Sequence, residues 1–181
     1  MSFQNQFTKT TTDANLMETV HHGSAEYPFR YYYENIALFD FKCIDWHWHS
    51  ELEFIYIESG NVVFDIGTVH FELNEGNGIM INSKILHQLQ SSSDAIIPNF
   101  LFQPSFIAPQ DSLIYKKYIN PVISSSLEYL VFQPDIPWQK KALEIIKTII
   151  AVQETEFNRE IIVSMSVQQL WILLLENLTF D

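Results

Sequence analysis

Short apolar runs, each closed by turn residues, are the feature that most limits how this chain can fold. The runs are "FRYYYENI" (29–36), "LEFIYIES" (52–59), "NVVFDIG" (61–67), "TVHFEL" (68–73), "GIMINS" (78–83) and "PNFLFQ" (98–103). Turn residues separate them, as in "SGN" (59–61) and "NEGNG" (74–78). β-branched and aromatic residues favour strands, and glycine accepts the positive φ of tight turns. Many short strands at this spacing predict an all-β sandwich or barrel.

Alternation within "LEFIYIE" shows how one of these strands is packed. Glu53, Ile55 and Ile57 share one face, because side chains alternate along a strand. Leu52, Phe54 and Tyr56 share the other face. Both faces are largely apolar, so we expect a barrel interior on one side and a second packed layer on the other.

The period changes from strand to helix after Pro104. "DSLIYKKYI" (111–119) predicts a short helix with Asp111 as N-cap, whereas "SLEYLVF" (126–132) is ambiguous. A longer helix is predicted from Asp135 as N-cap, with Pro137 in its first turn and apolar residues at three-four spacing. A last helix follows Asn158 and is apolar around almost its whole circumference near its end. Such a helix must be buried on several sides, against the barrel and preceding helix or against a second copy; we expect a second copy.

Composition limits the classes of protein to which this chain can belong. Its 181 residues are 47% hydrophobic, which suits one domain with a packed core. The formal net charge is -12, and residues 26–110 contain 11 acids against three bases. Such a surface repels phosphate backbones, so we do not expect this chain to hold nucleic acid by itself.

The cysteine count and the terminal segments bear on the compartment. The lone Cys43 excludes an internal disulfide framework and a zinc-thiolate cluster. The polar N-terminus shows no signal peptide, and no apolar run is long enough to span a bilayer. We therefore expect a cytoplasmic protein without a membrane partner.

Two histidines one residue apart, "HWH", form the core of the candidate site. His47 and His49 lie on one face of a strand, and Glu53 joins them if the chain reverses in between. With the later His87 they would form a three-histidine, one-carboxylate set that suits Fe(II), Mn, Ni or Zn. Without metal, the same groups could orient a polar ligand or simply pack.

Position along the chain also suggests roles for other side chains. Tyr31 and Tyr33 share a strand face and could line the pocket. Glu51 and Glu58 are expected to be solvated. The histidines outside the motif are expected on the surface or in packing contacts: His21, His22 and His70.

The stretch from His47 to Gly60 resembles the first motif of the cupin superfamily, His-x-His-x3-Glu-x6-Gly. The second cupin motif is only partly kept. Gly76 and His87 fit it, whereas the other expected positions depart from it: Asn82 replaces a proline, Lys84 a glycine and Ser91 an asparagine. Phe41 stands where a glycine is expected before the first histidine. All four ligand positions survive in a partly altered scaffold.

A closer resemblance covers nearly the whole chain. "HGSAEYPFRYYYENI" (22–36), "LNEGNGIMINSKILHQLQS" (73–91) and "MSVQQLWILLLENL" (165–178) look like the N-terminal effector domain of AraC-type transcription regulators. That resemblance implies a mainly β fold, a cupin jelly-roll barrel followed by a helical dimerisation segment. It also implies a helix-turn-helix DNA-binding domain that is absent from this chain. The expected division is a flexible arm at 1–20, the barrel at 21–132 and the helices at 133–181.

Two hypotheses about function follow. In the first, the chain senses a small polar effector, such as a sugar, through His47, His49, Glu53, His87, Tyr31 and Tyr33, with no catalytic residue and no required cofactor. It forms a homodimer through its C-terminal helices, and its arm closes over the effector. In the second, the chain is a metal-dependent cupin enzyme, a dioxygenase or isomerase, with the three histidines and Glu53 as metal ligands.

Overall fold

The computed structural model describes residues 8–155 and 157–179 of the chain. Within them, strands run over β1 Phe29–Asn35, β2 Cys43–His47, β3 Leu52–Tyr56, β4 Asn61–Ile66, β5 Val69–Asn74, β6 Gly78–Ile81, β7 His87–Gln90, β8 Ile96–Phe102 and β9 Tyr129–Phe132. The ambiguous "SLEYLVF" thus contains a strand. Residues 1–7 of the predicted arm and the last two residues of the predicted helical segment lie outside the described residues.

The strands form two antiparallel sheets. One has the order β1-β8-β3-β6-β9 and the other the order β2-β7-β4-β5. From β1 to β8 the chain crosses repeatedly from one sheet to the other. Strands β4 and β5 form a hairpin that pairs Asn61 with Asn74 and Ile66 with Val69. Antiparallel strands shared in this way between two facing sheets make a jelly roll. The predicted cupin jelly-roll barrel with a helical segment is confirmed.

Strand β3 lies between two hydrophobic cores. Ile55 and Ile57 belong to the core inside the barrel, with Phe64 and Ile79. Leu52 and Phe54 belong to a second core, on the outer face of the five-stranded sheet, where the helices pack. The expectation that this strand is covered on both faces is confirmed.

Helices cover the outer face of that sheet. A π-helical turn at Tyr115–Ile119 leads into α1 (Asn120–Ile123), and α2 (Pro137–Ala151) and α3 (Arg159–Asn177) follow. Asp111 does not cap the first of these, whose N-cap position is Ile114 without a capping side chain, and Ser112 Oγ accepts a hydrogen bond from the Tyr115 N–H at 3.1 Å. Asp135 does not cap α2, whose N-cap position is Ile136. Asn158 does hold the N-cap position of α3, but its side chain makes no capping bond.

The apolar surface of α3 is only partly buried in one copy of the chain. Val163, Val167, Leu170, Trp171 and Leu174 are buried against the barrel side and α2. Three apolar residues on another face remain open, with exposed fractions of 59% for Ile161, 57% for Met165 and 55% for Ile172. No helix in the described part of the chain combines the length and apolarity needed to cross a membrane.

The described part of the predicted arm lies against the barrel. Its backbone brackets Trp48: the Trp48 N–H donates to Leu16, and the Glu18 N–H donates to the Trp48 carbonyl. The Trp48 indole N–H donates to the Asn15 carbonyl at 2.9 Å, and Thr10 Oγ1 accepts from the Asp45 N–H. Residues 8–20 therefore add an outer layer beside β2; that this layer moves stays a prediction.

Candidate functional site

The three histidines and the glutamate of the motif come from both sheets. His47 ends β2 and faces His87, the first residue of β7, after a register shift that follows Ile44. His49 lies in the short connection to β3, and Glu53 is the second residue of that strand. The connection from β2 to β3 thus supplies the reversal that the sequence required for His49 and Glu53 to meet.

The four side chains converge at one buried point. One ligand atom of each of His47, His49, Glu53 and His87 lies within 4.8 Å of all the others. Glu53 Oε2 is 3.3 Å from His49 Nε2 and 3.2 Å from His87 Nε2. Each of the four residues is buried. We call this group the histidine–glutamate centre.

Backbone carbonyls orient all three imidazoles. Carbonyl oxygens only accept hydrogen bonds, so each Nδ1 must donate: His47 to Asp45, His87 to Ile85 and His49 to Glu51, at 2.8, 2.8 and 3.2 Å. With Nδ1 protonated, the neutral ring presents a lone pair on Nε2. The three Nε2 atoms therefore face the centre, where His49 Nε2 is hydrogen-bonded to Glu53 Oε2 at 3.3 Å.

Burial and neighbouring charges set the protonation of the centre. Burial lowers the pKa of His47 well below its ordinary value, and His87 and His49 lower it further. Burial also lowers the pKa of His49, but Glu53 beside it outweighs this and raises that pKa overall. For Glu53, burial favours the protonated form, and the adjacent His49 and His87 rings reverse that effect and hold its pKa far below normal. The centre is thus an ionised carboxylate among imidazoles, of which His49 is the best placed to hold a proton.

The centre has the donors that a divalent metal ion requires. His87 Nε2 is fully buried and has no hydrogen-bond partner among the described residues. Metal-ligating imidazoles usually donate their other ring N–H to a backbone carbonyl or a carboxylate, as these three imidazoles do. Three imidazole nitrogens and a carboxylate suit Fe(II), Mn, Ni or Zn. The residues therefore fit such an ion.

A cavity extends from the centre into the barrel. The lining combines apolar residues such as Ile55, Leu89 and Ile97 with polar ones: Lys9, Thr10, Glu18, His22, Tyr32, Glu34, His47, Glu53 and Asn99. Nine of the fifteen lining residues are thus polar or ionisable, a larger share than in a typical small-molecule site.

The tyrosines expected in the pocket face the other way. Tyr31 packs with the outer core, and the Tyr33 hydroxyl donates to Glu58 outside the barrel. Neither lines the cavity, and their strand neighbours Tyr32 and Glu34 do. The alternation was predicted correctly, but the inward face of β1 is the even-numbered one.

Polar groups that the sequence did not single out form the far wall of the cavity. The Glu34 carboxylate accepts a 2.8 Å hydrogen bond from the side chain of Asn99, and burial raises its pKa to about 7. His22 Nε2 lies 2.9 Å from Glu18, and its Nδ1 lies 2.9 Å from the Tyr32 hydroxyl. Both His22 and Glu34 are buried. The one clue in the sequence was that Tyr32 and Glu34 share a strand face.

One expectation about a single residue is corrected. For His22 the packing alternative holds, because it is buried and its ring meets His49 edge-on at 5.8 Å. Glu51 is not solvated: it is buried and accepts a 2.7 Å hydrogen bond from Gln103. Glu58 is exposed as expected, as are His21 and His70.

Comparisons with known proteins agree with this architecture. Residues 39–111 match the model of the AraC-like ligand binding domain. The uncharacterised HTH-type transcriptional regulator YdeC of Bacillus subtilis is 31% identical over 163 residues, covering 88% of this chain and 55% of the relative. The chain therefore spans about half the length of the curated relative that it matches.

One solved structure shares the fold at low sequence identity, and a second aligns with a smaller part of the chain. An apo variant of ToxT from Vibrio cholerae aligns with 88% of this chain and 61% of its own, at a TM-score of 0.55 and 9% identity. A cupin-2 domain protein from Shewanella frigidimarina aligns with 40% of this chain and 69% of its own, at a TM-score of 0.36 and 14% identity. With the match over residues 39–111 and the relative in Bacillus subtilis, the resemblance to the ligand-binding part of AraC-type regulators is confirmed.

Proposed function

We propose that this chain is the effector-sensing part of a cytoplasmic AraC-type transcription regulator, and that it binds a small polar molecule inside the barrel without catalysis. The single observation that supports this most is the cavity inside the AraC-like ligand-binding barrel, which is lined by polar side chains that include the buried His22, Glu34, His47, Glu53 and Asn99. A polar molecule can hydrogen-bond to such groups without leaving them unpaired. A sugar is one molecule of that polarity.

Contacts between the arm and the cavity give the protein a way to respond to a bound effector. Lys9, Thr10 and Glu18 of the arm line the cavity, and Glu18 pairs with the buried His22. A second pocket lies between residues 17–21, which include the end of the arm, and His49. An effector that contacts the arm favours the docked arrangement to the extent that it binds that arrangement more tightly.

The DNA-reading half of the regulator belongs to this proposal as well. The net charge of -12 argues against DNA binding by this chain itself. Control therefore acts through a helix-turn-helix domain outside these residues.

Pairing of two copies through α3 would join two such regulators. Ile161, Met165 and Ile172 are more than half exposed and lie on one side of the helix. We expect the chain to be a dimer by sedimentation. Ile161→Glu together with Met165→Glu should make it a monomer, whereas the matched acid on the exposed side of α2, Thr148→Glu, should leave the dimer intact. A wild-type monomer would remove this part of the proposal.

A metal-dependent enzyme is the second candidate, and the histidine–glutamate centre favours it. His47, His49, His87 and Glu53 would hold the ion, and when bound it would supply a Lewis-acidic point for an oxygen or nitrogen of the ligand. For the sensor, the same point would orient the effector. Metal content alone therefore does not separate the two candidates.

Binding and turnover together separate them. Purified chain, with and without prior chelation, is screened by thermal shift against sugars and other small polar metabolites, and its metal content is measured. We expect one metabolite to raise Tm and to be recovered unchanged, with its binding weakened in Asn99→Ala and kept in the surface variant Glu72→Gln. Conversion of the metabolite, lost in His49→Ala together with stoichiometric metal, would instead establish the enzyme.

A further inference from the structure

We infer that the effector carries a cationic nitrogen group, an ammonium or guanidinium, that binds Glu34 on the far wall of the cavity. This inference rests on the proposed function, since it assumes that the barrel cavity holds an effector. It narrows the effector class from polar molecules in general to hydrogen-bond donors with positive charge.

Glu34 is a buried carboxylate without an opposite charge. Its exposed fraction is 9%, it lines the cavity, and Asn99 donates its side-chain hydrogen bond. No Lys, Arg or His of the described residues forms an ion pair with it. Burying a carboxylate without an opposite charge is costly, so this position favours a ligand that brings one.

Asn99 fixes the polarity of the groups next to Glu34. Its side-chain nitrogen donates to Glu34 at 2.8 Å and to the Ile97 carbonyl at 3.1 Å. Both amide hydrogens are therefore used, and the remaining polar atom is the Oδ1 acceptor. The remaining polar atom beside the Glu34 carboxylate is therefore a hydrogen-bond acceptor, so a ligand that binds there should bring hydrogen-bond donors.

The surrounding charge favours the entry of cations. Glu18, Glu34 and Glu53 line the cavity, and Lys9 is the one Lys or Arg among its lining residues in the described part of the chain. Residues 26–110 contain 11 acids and three bases. A cleft lined by one sign of charge raises the local concentration of the opposite sign.

Matched pairs of cationic and neutral probes test this inference. We would titrate the chain with 1,4-diaminobutane against 1,4-butanediol, and with guanidinium against urea, by calorimetry at physiological salt with a chelator present. The cation of at least one pair is expected to bind at least about tenfold more tightly than its neutral partner. Glu34→Gln should abolish that preference, Asn99→Ala should reduce it, and Glu72→Gln, exposed on β5, should keep it.

The outcomes separate this inference from the proposed function. Tighter binding of the neutral partner, or of a sugar that Glu34→Gln does not affect, would overturn the cationic class while the sensor stands. A cation preference that persists in Glu34→Gln but disappears in His49→Ala would place the group at the histidine–glutamate centre, which also overturns it. If neither member of either pair binds but another metabolite does, the inference fails alone. If no small molecule binds, both fail.

Discussion

The two faces of β3 differ in how they use buried residues. On the outer face, Phe54 stacks with Phe100 and Phe102, with ring centroids 5.3 and 5.9 Å apart. On the inner face, Glu53 lies 3.3 Å from His49 Nε2 and 3.2 Å from His87 Nε2, while Ile55 packs in the core of the barrel. The outer face stabilises the barrel by aromatic packing, whereas the inner face combines apolar packing with a buried polar centre. One strand thus carries two faces of different chemistry.

Removing the aromatic stack should give the largest loss of stability. Phe54 is fully buried between the sheet and the helices, so Phe54→Ala leaves a cavity that rigid neighbours cannot fill. We expect a loss of about 3–5 kcal/mol in the free energy of unfolding, measured by urea denaturation. A loss below about 1 kcal/mol would contradict the view that the outer face is the stabilising one.

Removing the charge of Glu34, which lines the cavity, should increase the free energy of unfolding, whereas Phe54→Ala should decrease it. Burial raises the pKa of Glu34 to about 7 from an ordinary 4.5. The folded state therefore holds this proton between those pH values, and stability is lost as the pH rises through them. Glu34→Gln should remove that loss, raising stability at pH 8 by up to about 3 kcal/mol, with little effect at pH 4. Equal stability of variant and wild type at both pH values would contradict it.

Removing the donor to Glu34 should cost less. Asn99→Ala takes away the 2.8 Å hydrogen bond to the carboxylate, and we expect a loss of about 1–3 kcal/mol at pH 8. The loss should shrink in the Glu34→Gln background, because the charged acceptor is then gone. Thermal unfolding of the two single variants and the double variant measures this coupling; strictly additive effects would argue against the contact.

Replacing a surface carboxylate should change stability least among these variants. Glu72 is exposed on β5, so Glu72→Gln should change stability by less than about 0.5 kcal/mol at any pH from 5 to 8. The same denaturation curves check this. A larger effect would mean that general charge repulsion, not burial, explains the pH dependence expected of Glu34.

The main parts of the fold and centre could be predicted from the sequence. Turn spacing predicted the strands, and residue types predicted that His47, His49, Glu53 and His87 form one set. The expectation that His47 and His49 share a strand face holds only for His47, because β2 ends there and His49 lies in the connection to β3. No local pattern could have shown that His87 reaches His47, because β7 meets β2 only through sheet pairing. The distances between the four side chains are then set by the backbone positions of the strands in both sheets.

The far wall of the cavity could not be predicted, for a physical reason. Alternation separates two faces but does not say which face is interior, and a glutamate such as Glu34 normally indicates the solvent side. What keeps it inside is Asn99, which lies 65 positions away along the chain. The capping errors at Asp111 and Asp135 are smaller, since helix ends depend on local backbone geometry.

The fluorescence of Trp48 should depend on whether the N-terminal arm is docked against the barrel. Its backbone and indole both bond to the arm, while its sequence neighbours His47 and His49 point into the centre. Indole emission responds to the polarity around the ring, and this ring loses its partner Asn15 whenever the arm leaves. The chain thus contains an intrinsic optical reporter, placed one residue from two histidines of the histidine–glutamate centre, of whether its first segment is docked.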